Sequence, residues 1–386
     1  VAIGFLAPEL STRLGVLSDI FLRLIRSIIA PVLVGVLIRA IAGAGSLGNL
    51  GRLGWKAVVC FEVATTVALL LGWFVAVAFR PGEGLELPAQ GGLQPEPLGF
   101  TQFLANATPT SVVDAMARGD VLQIVVFCCL FGLACLSLGE KARPIVELAD
   151  SLAEVAFRFT HYIMYLAPLA VLAAVANTVA TGGDGVLAGL ARFIAAAWFA
   201  QGLFLIVVLG GAMVLFRIPV ARFIHFAREP FLIAFATTSS AAALPQTLEN
   251  MQRFGVPKRI LGVIAPLSLS LNLNGSTIHL AMATLFVAQA ADIHLSLQQQ
   301  IFILLTLKLT SKGVAGVPRA NFVILAALFE GYGLPMAGLA MLLGVDALID
   351  PVRTSVNVVS HCVSPAAVAR WEGVEFRRDL EPVSQA

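Results

Sequence analysis

The chain has 386 residues, 58% of them hydrophobic and only 12% charged, with a formal net charge of +2 and a mean hydropathy of +0.90. A soluble domain carries about a quarter charged residues, so this composition excludes an ordinary water-soluble fold. The basic residues are scattered over the ends of apolar segments, which leaves nucleic-acid binding without support.

Val1–Pro8 is too short to span a bilayer. It reads as the end of a first helix whose beginning lies outside the chain, not as a cleaved signal peptide. Six apolar segments then follow: Ile20–Ala44, Trp55–Phe79, Val121–Leu138, Tyr162–Val179, Leu190–Phe216 and Ile260–Ala290. Most approach or exceed the roughly 20 residues that cross hydrocarbon as a helix, so the class is a polytopic all-α membrane protein. Pro81–Gly99 is the long irregular linker, and Glu140–Glu154 is a charged amphipathic run at a membrane surface. The five cysteines lie in apolar segments and read as small buried residues, not as a disulfide framework.

Arg52 and Lys56, Lys141 and Arg143, the cluster from Arg217 to Arg259, and Arg370, Arg377 and Arg378 fall on one set of connections. The alternate connections, Pro81–Gly99, Thr181–Gly185 and Asp292–Ser296, contain no lysine or arginine. By the positive-inside rule the basic set and the C-terminus are cytoplasmic, as expected for a multi-pass protein of a bacterial-type inner membrane.

Two later regions depart from simple spans. Ile224–Phe254 is interrupted by the small, polar run at residues 236–245, and Leu297–Leu334 by residues 310–321. The first is flanked on both sides by cytoplasmic basic residues and the second by none. Each is therefore expected to enter and leave on its own side as a re-entrant helical hairpin. Irregular backbone at membrane depth survives only where it lines a protein-enclosed or watery cavity, and paired broken helices mark a midplane substrate site. Between them, Asn272-Leu273-Asn274-Gly275-Ser276 interrupts an apolar helix and is expected to unwind.

The last apolar segment carries the most informative pattern. Asp346, Asp350, Arg353 or Thr354, Asn357 and His361 follow one another at i+3 or i+4 and form a polar stripe on one helix face. A charge facing lipid costs about 3 kcal/mol on insertion scales, so these groups face a cavity, a ligand or each other. Read alone, Asp350 and Arg353 fit either a substrate clamp or a self-neutralising ion pair.

These motifs, in this order, resemble the dicarboxylate/amino acid:cation symporter family of glutamate transporters and their bacterial relatives. The first tip (Thr238 to Pro245), the Asn272–Ser276 motif, the second tip (Ser311 to Pro318) and the final stripe carry the resemblance. Phe21-Leu22-Arg23-Leu24 and Ala369-Arg370-Trp371-Glu372-Gly373 extend it over essentially the whole chain. The resemblance implies a glutamate-transporter fold, a homotrimer and an elevator motion. Its parts are scaffold helices over residues 1–53, a transport-domain helix over 54–80, and an extracellular linker with an amphipathic segment over 81–118. Scaffold and trimerisation helices over 119–183 and a transport domain over 184–372 follow. Within the latter lie hairpin 1 at about 219–255, the unwound helix at about 258–291, hairpin 2 at about 296–334 and the last helix at about 336–372. Residues 373–386 form a cytoplasmic tail.

The resemblance further implies an acidic amino acid, aspartate or glutamate, as substrate. Arg353 would take the side-chain carboxylate, which its planar fork suits, and Asp350 the α-amino group. Thr354, Asn357, Ser240, Ser276 and the backbone at Val317 would complete the substrate site. A cation or proton site would draw on Asn272, Asn274, Asp346, His361, Ser268, Ser311 and His279. Two positions depart from the sodium-coupled pattern: Asn274 and His361 stand where those members carry sodium-binding aspartates. An amide lacks the charge and an imidazole lacks the hard oxygen, which weakens both sodium sites. Proton coupling is therefore expected, with His361, His279, Asp346 and Glu62 as carriers and a residual sodium ion as the alternative. No cofactor and no metal centre are expected. His161, His225 and His294 are expected at surfaces. A membrane-embedded hydrolase using Ser239 or Ser240 lacks any nucleophile-elbow or metalloprotease motif, so no enzyme is expected. Uncoupled or exchange transport, and a sensor or anion channel that no longer transports, remain the competing readings.

Overall fold

The computed structural model describes residues 8–49, 51–85, 87, 108–118, 120–166, 168–170, 172–173, 176, 185–311 and 321–376. Among these residues the chain is helical, without strands.

Helix α1 runs from Pro8–Asn49, α2 from Gly51–Phe79, the short α3 from Val112–Arg118 and α4 from Val121–Leu138. Asp120 starts α4 by accepting a bond from Gln123 N, and Gly139 ends it at φ 57°, a left-handed conformation suited to glycine. A 3-10 turn leads into α5, Arg143–Met164, which is amphipathic. Helix α6, Gly185–Leu215, contains a π segment at Phe204–Leu209. Among the described residues, three stretches are long and apolar enough to cross a membrane: Arg52–Phe79, Gln123–Ile163, which joins α4 to α5, and Gly185–Leu215. The expected segment Tyr162–Val179 overlaps the end of α5, and beyond it residues 165–166, 168–170, 172–173 and 176 are described.

The interruptions are narrower than the sequence suggests. Helix α7, Val220–Thr237, stops at Thr238, which adopts the left-handed region at φ 51°. Helix α8, Ser240–Phe254, starts at once because the Ser239 side chain accepts from Ala242 N. The expected break over residues 236–245 thus shrinks to Thr238 and Ser239, with Pro245 inside α8. The two helices pack on each other as a hairpin. Likewise the expected unwinding of Asn272–Ser276 is confined to Asn272 and Leu273, between α9, Lys258–Leu271, and α10, Asn274–Ala290. Asn274, Gly275 and Ser276 form the first turn of α10. Helix α11, Leu297–Thr310, opens with a capping box between Ser296 and Gln299. Helix α12, Asn321–Gly331, follows it, and the tip between them, with Val317 and Arg319, lies outside the described residues. Helix α13, Met336–Trp371, is continuous for 36 residues despite Pro351 and Pro365.

Helix α1 packs against α4 and α5, while α2 packs along α10, and α13 contacts α6, α7, α8, α9 and α10. Gly72 on α2 permits the second contact, because a methyl there would meet the Ile278 carbonyl oxygen at 2.7 Å. The result is a polar axis, α13 beside the α9–α10 break, wrapped by apolar helices.

Candidate functional site

The polar stripe of α13 points inward. Asp346, Asp350, Arg353, Thr354, Asn357 and His361 are all buried. Helical spacing brings the first four together: Arg353 Nη1 donates to Asp346 Oδ1 at 2.9 Å and Nη2 to Asp350 Oδ1 at 2.7 Å. Thr354 Oγ1 donates to the same Asp350 oxygen at 2.9 Å. A guanidinium 2% exposed is tolerable because two carboxylates share it. The self-pairing left open by the sequence is therefore present, and a ligand carboxylate must compete with Asp346 or Asp350 for the fork.

One turn on, Asn357 meets the start of α10. Its Oδ1 accepts from Ser276 N at 3.2 Å and its Nδ2 donates to Ser276 Oγ at 3.1 Å. The approach is close: a methyl at Gly275 would overlap the Arg353 carbonyl oxygen. Only glycine lets these backbones touch. The hairpin tip reaches the same helix, with Ala234 and Ala243 packed on Val358, and Ser240 is buried there at the first position of α8.

The α9–α10 break is stitched by amides. Asn272 Nδ2 donates to Ser360 O at 3.2 Å and to Ser364 Oγ at 2.8 Å. Asn274 Nδ2 donates to Asn272 Oδ1 at 2.9 Å, and Thr65 Oγ1 on α2 donates to Asn274 Oδ1 at 3.3 Å. His361 bonds the Asn272 backbone through one ring nitrogen, while its Nε2 has no hydrogen-bond partner. Ser268 is fully buried at the end of α9, with its hydroxyl unpartnered. The structure thus gathers Asn272, Asn274 and His361 around the break, one or more turns along α13 from the Arg353 cluster.

Other expected residues sit apart. Ser311 is buried, and its hydroxyl donates to Lys308 O at 3.4 Å. His279 is buried on α10 beside Phe193. Glu62 lies half-buried 3.3 Å from Lys308 Nζ on α11, an ion pair away from the central cluster. His161, His225 and His294 are exposed, as expected. The five cysteines are free.

The sequence reading missed Thr65, Gln201, Ser360 and Ser364. Gln201 Nε2 donates to the Gly275 carbonyl at 2.8 Å, tying α6 to the first turn of α10. Its signal was visible, since it is the lone amide within Leu190–Phe216.

Buried ionic and amide groups on the axis of an apolar helical bundle define a multi-pass membrane protein with an internal polar site. The sodium:dicarboxylate symporter family model matches residues 1–371, and the chain belongs to that family. It is a transporter, not an enzyme. It is 39% identical over 383 residues to a C4-dicarboxylate transport protein of Anaeromyxobacter sp. (strain K), covering 96% of this chain and 87% of that protein. It is 35% identical over 378 residues to a proton/glutamate-aspartate symporter of Bacillus subtilis (strain 168), covering 96% and 91%. A proton/sodium-glutamate symport protein of Geobacillus stearothermophilus is 35% identical over 382 residues, with the same coverage.

Proposed function

We propose that this protein carries acidic amino acids, aspartate or glutamate, across the membrane with protons as the coupling ion. The observation that carries the substrate reading is the buried Arg353 fork, which lies within two helical turns of the hairpin tip's contact at Val358 and the α10 start's contact at Asn357. A substrate carboxylate would replace one of the two internal carboxylates on Arg353. The freed Asp350, still held by Thr354, would then accept the substrate ammonium. Asn357, Thr354, Ser276 and Ser240 would orient the α-carboxylate, with Val317 contributing from the second tip.

Two observations support protons over sodium. Around the α9–α10 break the side-chain contacts among the described residues come from amides, hydroxyls and an imidazole. The Asp346 and Asp350 carboxylates turn to Arg353 instead. Sodium favours hard oxygens and a fixed negative charge, which Asn274 and His361 do not supply. The relatives include both proton and sodium symporters by name, and a C4-dicarboxylate transporter.

The elevator motion, the homotrimer and the cytoplasmic C-terminus belong to the same reading. The mutual packing of α1, α4 and α5 supports a scaffold unit, and the packing of α2 and α6 to α13 around the site supports a transport unit. The α7–α8 pair and the α11–α12 pair would be the re-entrant hairpins.

Proteoliposomes test the reading directly. Aspartate or glutamate should accumulate under an inward pH gradient without sodium, and succinate should compete weakly. Accumulation that requires sodium would overturn the coupling ion. Preference for succinate would reassign the substrate to C4-dicarboxylates.

A further inference from the structure

One polar cluster joins His279, one of the expected carriers, to Gln201, which the sequence reading missed. It lies between α6 and α10, behind the α10 start that touches Arg353. Gln201 and His279 are 0% and 1% exposed. Among the described residues, neither ring nitrogen of His279 has a hydrogen-bond partner, and neither does Gln201 Oε1. Buried polar atoms are nearly always paired, so three orphans on one helix–helix interface mark a site that something else completes.

The register places them together. Phe193, Ala197 and Gln201 follow at i+4 on α6, and Gly275 and His279 follow at i+4 on α10. Gln201 holds the Gly275 carbonyl, and Phe193 stacks near both His279, at 6.1 Å, and Phe286, at 4.4 Å. The two helices therefore run antiparallel here, with His279 between the Gln201 level and the Phe193 level. Buried Ala196, Ala197 and Ala200 keep this stretch of α6 slim. The orientation of the Gln201 amide is fixed by chemistry, because its NH₂ must face the Gly275 carbonyl. Oε1 is then an acceptor without a donor.

A neutral imidazole has one donor and one acceptor, and a protonated one has two donors. We propose that His279 binds the proton that accompanies substrate, with Gln201 Oε1 accepting from the imidazolium directly or through one water. This assignment rests on the proton-coupled reading above. One proton moves from bulk water to the ring nitrogen that lacks one, and no other bond changes.

The charged groups on the elements packed around α10 are few. They are Asp346, Asp350 and Arg353 on α13 with the imidazole of His361, Arg370 near the far end of α13, Arg52 and Lys56 at the start of α2 paired to Glu372, Glu62 on α2 paired to Lys308 on α11, Arg192 on α6 and Glu330 on α12. Of these, the Arg353 cluster adjoins α10 through the backbone contact at Gly275. A substrate that brings net negative charge to Arg353 therefore supplies the field that a proton on His279 needs, in a region where charge is weakly screened.

Calorimetric titration of the full chain with L-aspartate, in buffers of differing ionisation heat, tests this. Wild type should take up protons on binding, and its affinity should weaken about tenfold per pH unit over the pH range where that uptake occurs. His279→Gln should bind without proton uptake and with pH-independent affinity, while the exposed control His225→Gln behaves as wild type. Gln201→Leu keeps the histidine but removes the acceptor, and should lower proton uptake at a given pH; it decides the matter if His279→Gln does not fold. Proton uptake lost in His361→Gln and kept in His279→Gln would overturn the assignment. No proton uptake by wild type would overturn the proton-coupled reading itself, and the assignment with it.

Discussion

Two neighbouring elements place polar groups in the apolar interior by opposite means. Helix α13 keeps its backbone ladder unbroken for 36 residues and carries its polarity in charged side chains. The α9–α10 segment carries no charge at its break but interrupts the backbone at Asn272 and Leu273. Each solves the burial problem differently. The first does so within one helix, where Arg353 pairs with Asp350 at i+3 and Asp346 at i+7. The second does so across helices, with Asn357 covering the Ser276 N–H at the start of α10, Asn272 donating to the Ser360 carbonyl and Gln201 to the Gly275 carbonyl. The contrast separates what a ligand can exchange from what it cannot. In the proposed function, a carboxylate on the guanidinium would be swapped for a substrate carboxylate, whereas the amide stitches would hold the framework in which the swap occurs.

Removing the guanidinium should break this contrast most sharply. Arg353→Ala leaves two buried carboxylates without their partner, a loss of about 3–5 kcal/mol in stability. It should also weaken acidic substrate binding by roughly 100-fold or more, since two charge-assisted hydrogen bonds go with it. Neutralising the whole cluster, Arg353→Met with Asp346→Asn and Asp350→Asn, should restore most of the stability and none of the binding. Thermal unfolding in detergent and substrate titration separate the two effects. Binding that survives in the triple variant would place the substrate elsewhere.

The charged helix was legible in the sequence and the stitched break only partly so. The i+3 and i+4 spacing of Asp346, Asp350, Arg353, Asn357 and His361 fixes a shared face once a helix is assumed, and burial of that face follows from the cost of charge in lipid. The position of the break was readable from two asparagines and a glycine in an apolar run. Its extent was not, because it depends on partners far away in sequence: Ser360 and Ser364 for Asn272, Thr65 for Asn274 and Gln201 for Gly275. The same holds at the first tip, where one capping bond from Ser239 starts α8 earlier than the run of small residues implies. Glu62 shows the same limit: nothing around it in the sequence points to Lys308, more than two hundred residues later, which stands beside it.

The stitches should yield a smaller effect than the charges. Asn272→Ala removes the donors to Ser360 O and Ser364 Oγ and the acceptor for Asn274, and should cost about 1–3 kcal/mol. Because Asn272 lies off the substrate clamp, the expected signature is a lower melting temperature with substrate affinity changed far less than in Arg353→Ala. An unchanged melting temperature would show that the break is held by packing alone, and the contrast with α13 would lose its basis.

The smallest effect is expected where α13 leaves the bundle. Glu372 accepts from Lys56 Nζ at 2.6 Å and from Arg52 Nη2 at 2.8 Å, tying the end of α13 to the start of α2. Trp371 adds a face for Lys56 at 5.1 Å. The Lys56 hydrogen bond, followed by that from Arg52, holds the Glu372 carboxyl below its ordinary value of 4.5. A carboxyl depressed in the folded state contributes stability that is complete above its unfolded value and is lost as pH falls through the folded one. Melting temperature measured from neutral to acid pH should therefore fall less steeply in Glu372→Gln than in wild type below about pH 4.5, the ordinary carboxylate value, with a modest deficit at neutral pH. Parallel profiles would mean that the tie is made only transiently and that α13 is anchored by its central contacts alone.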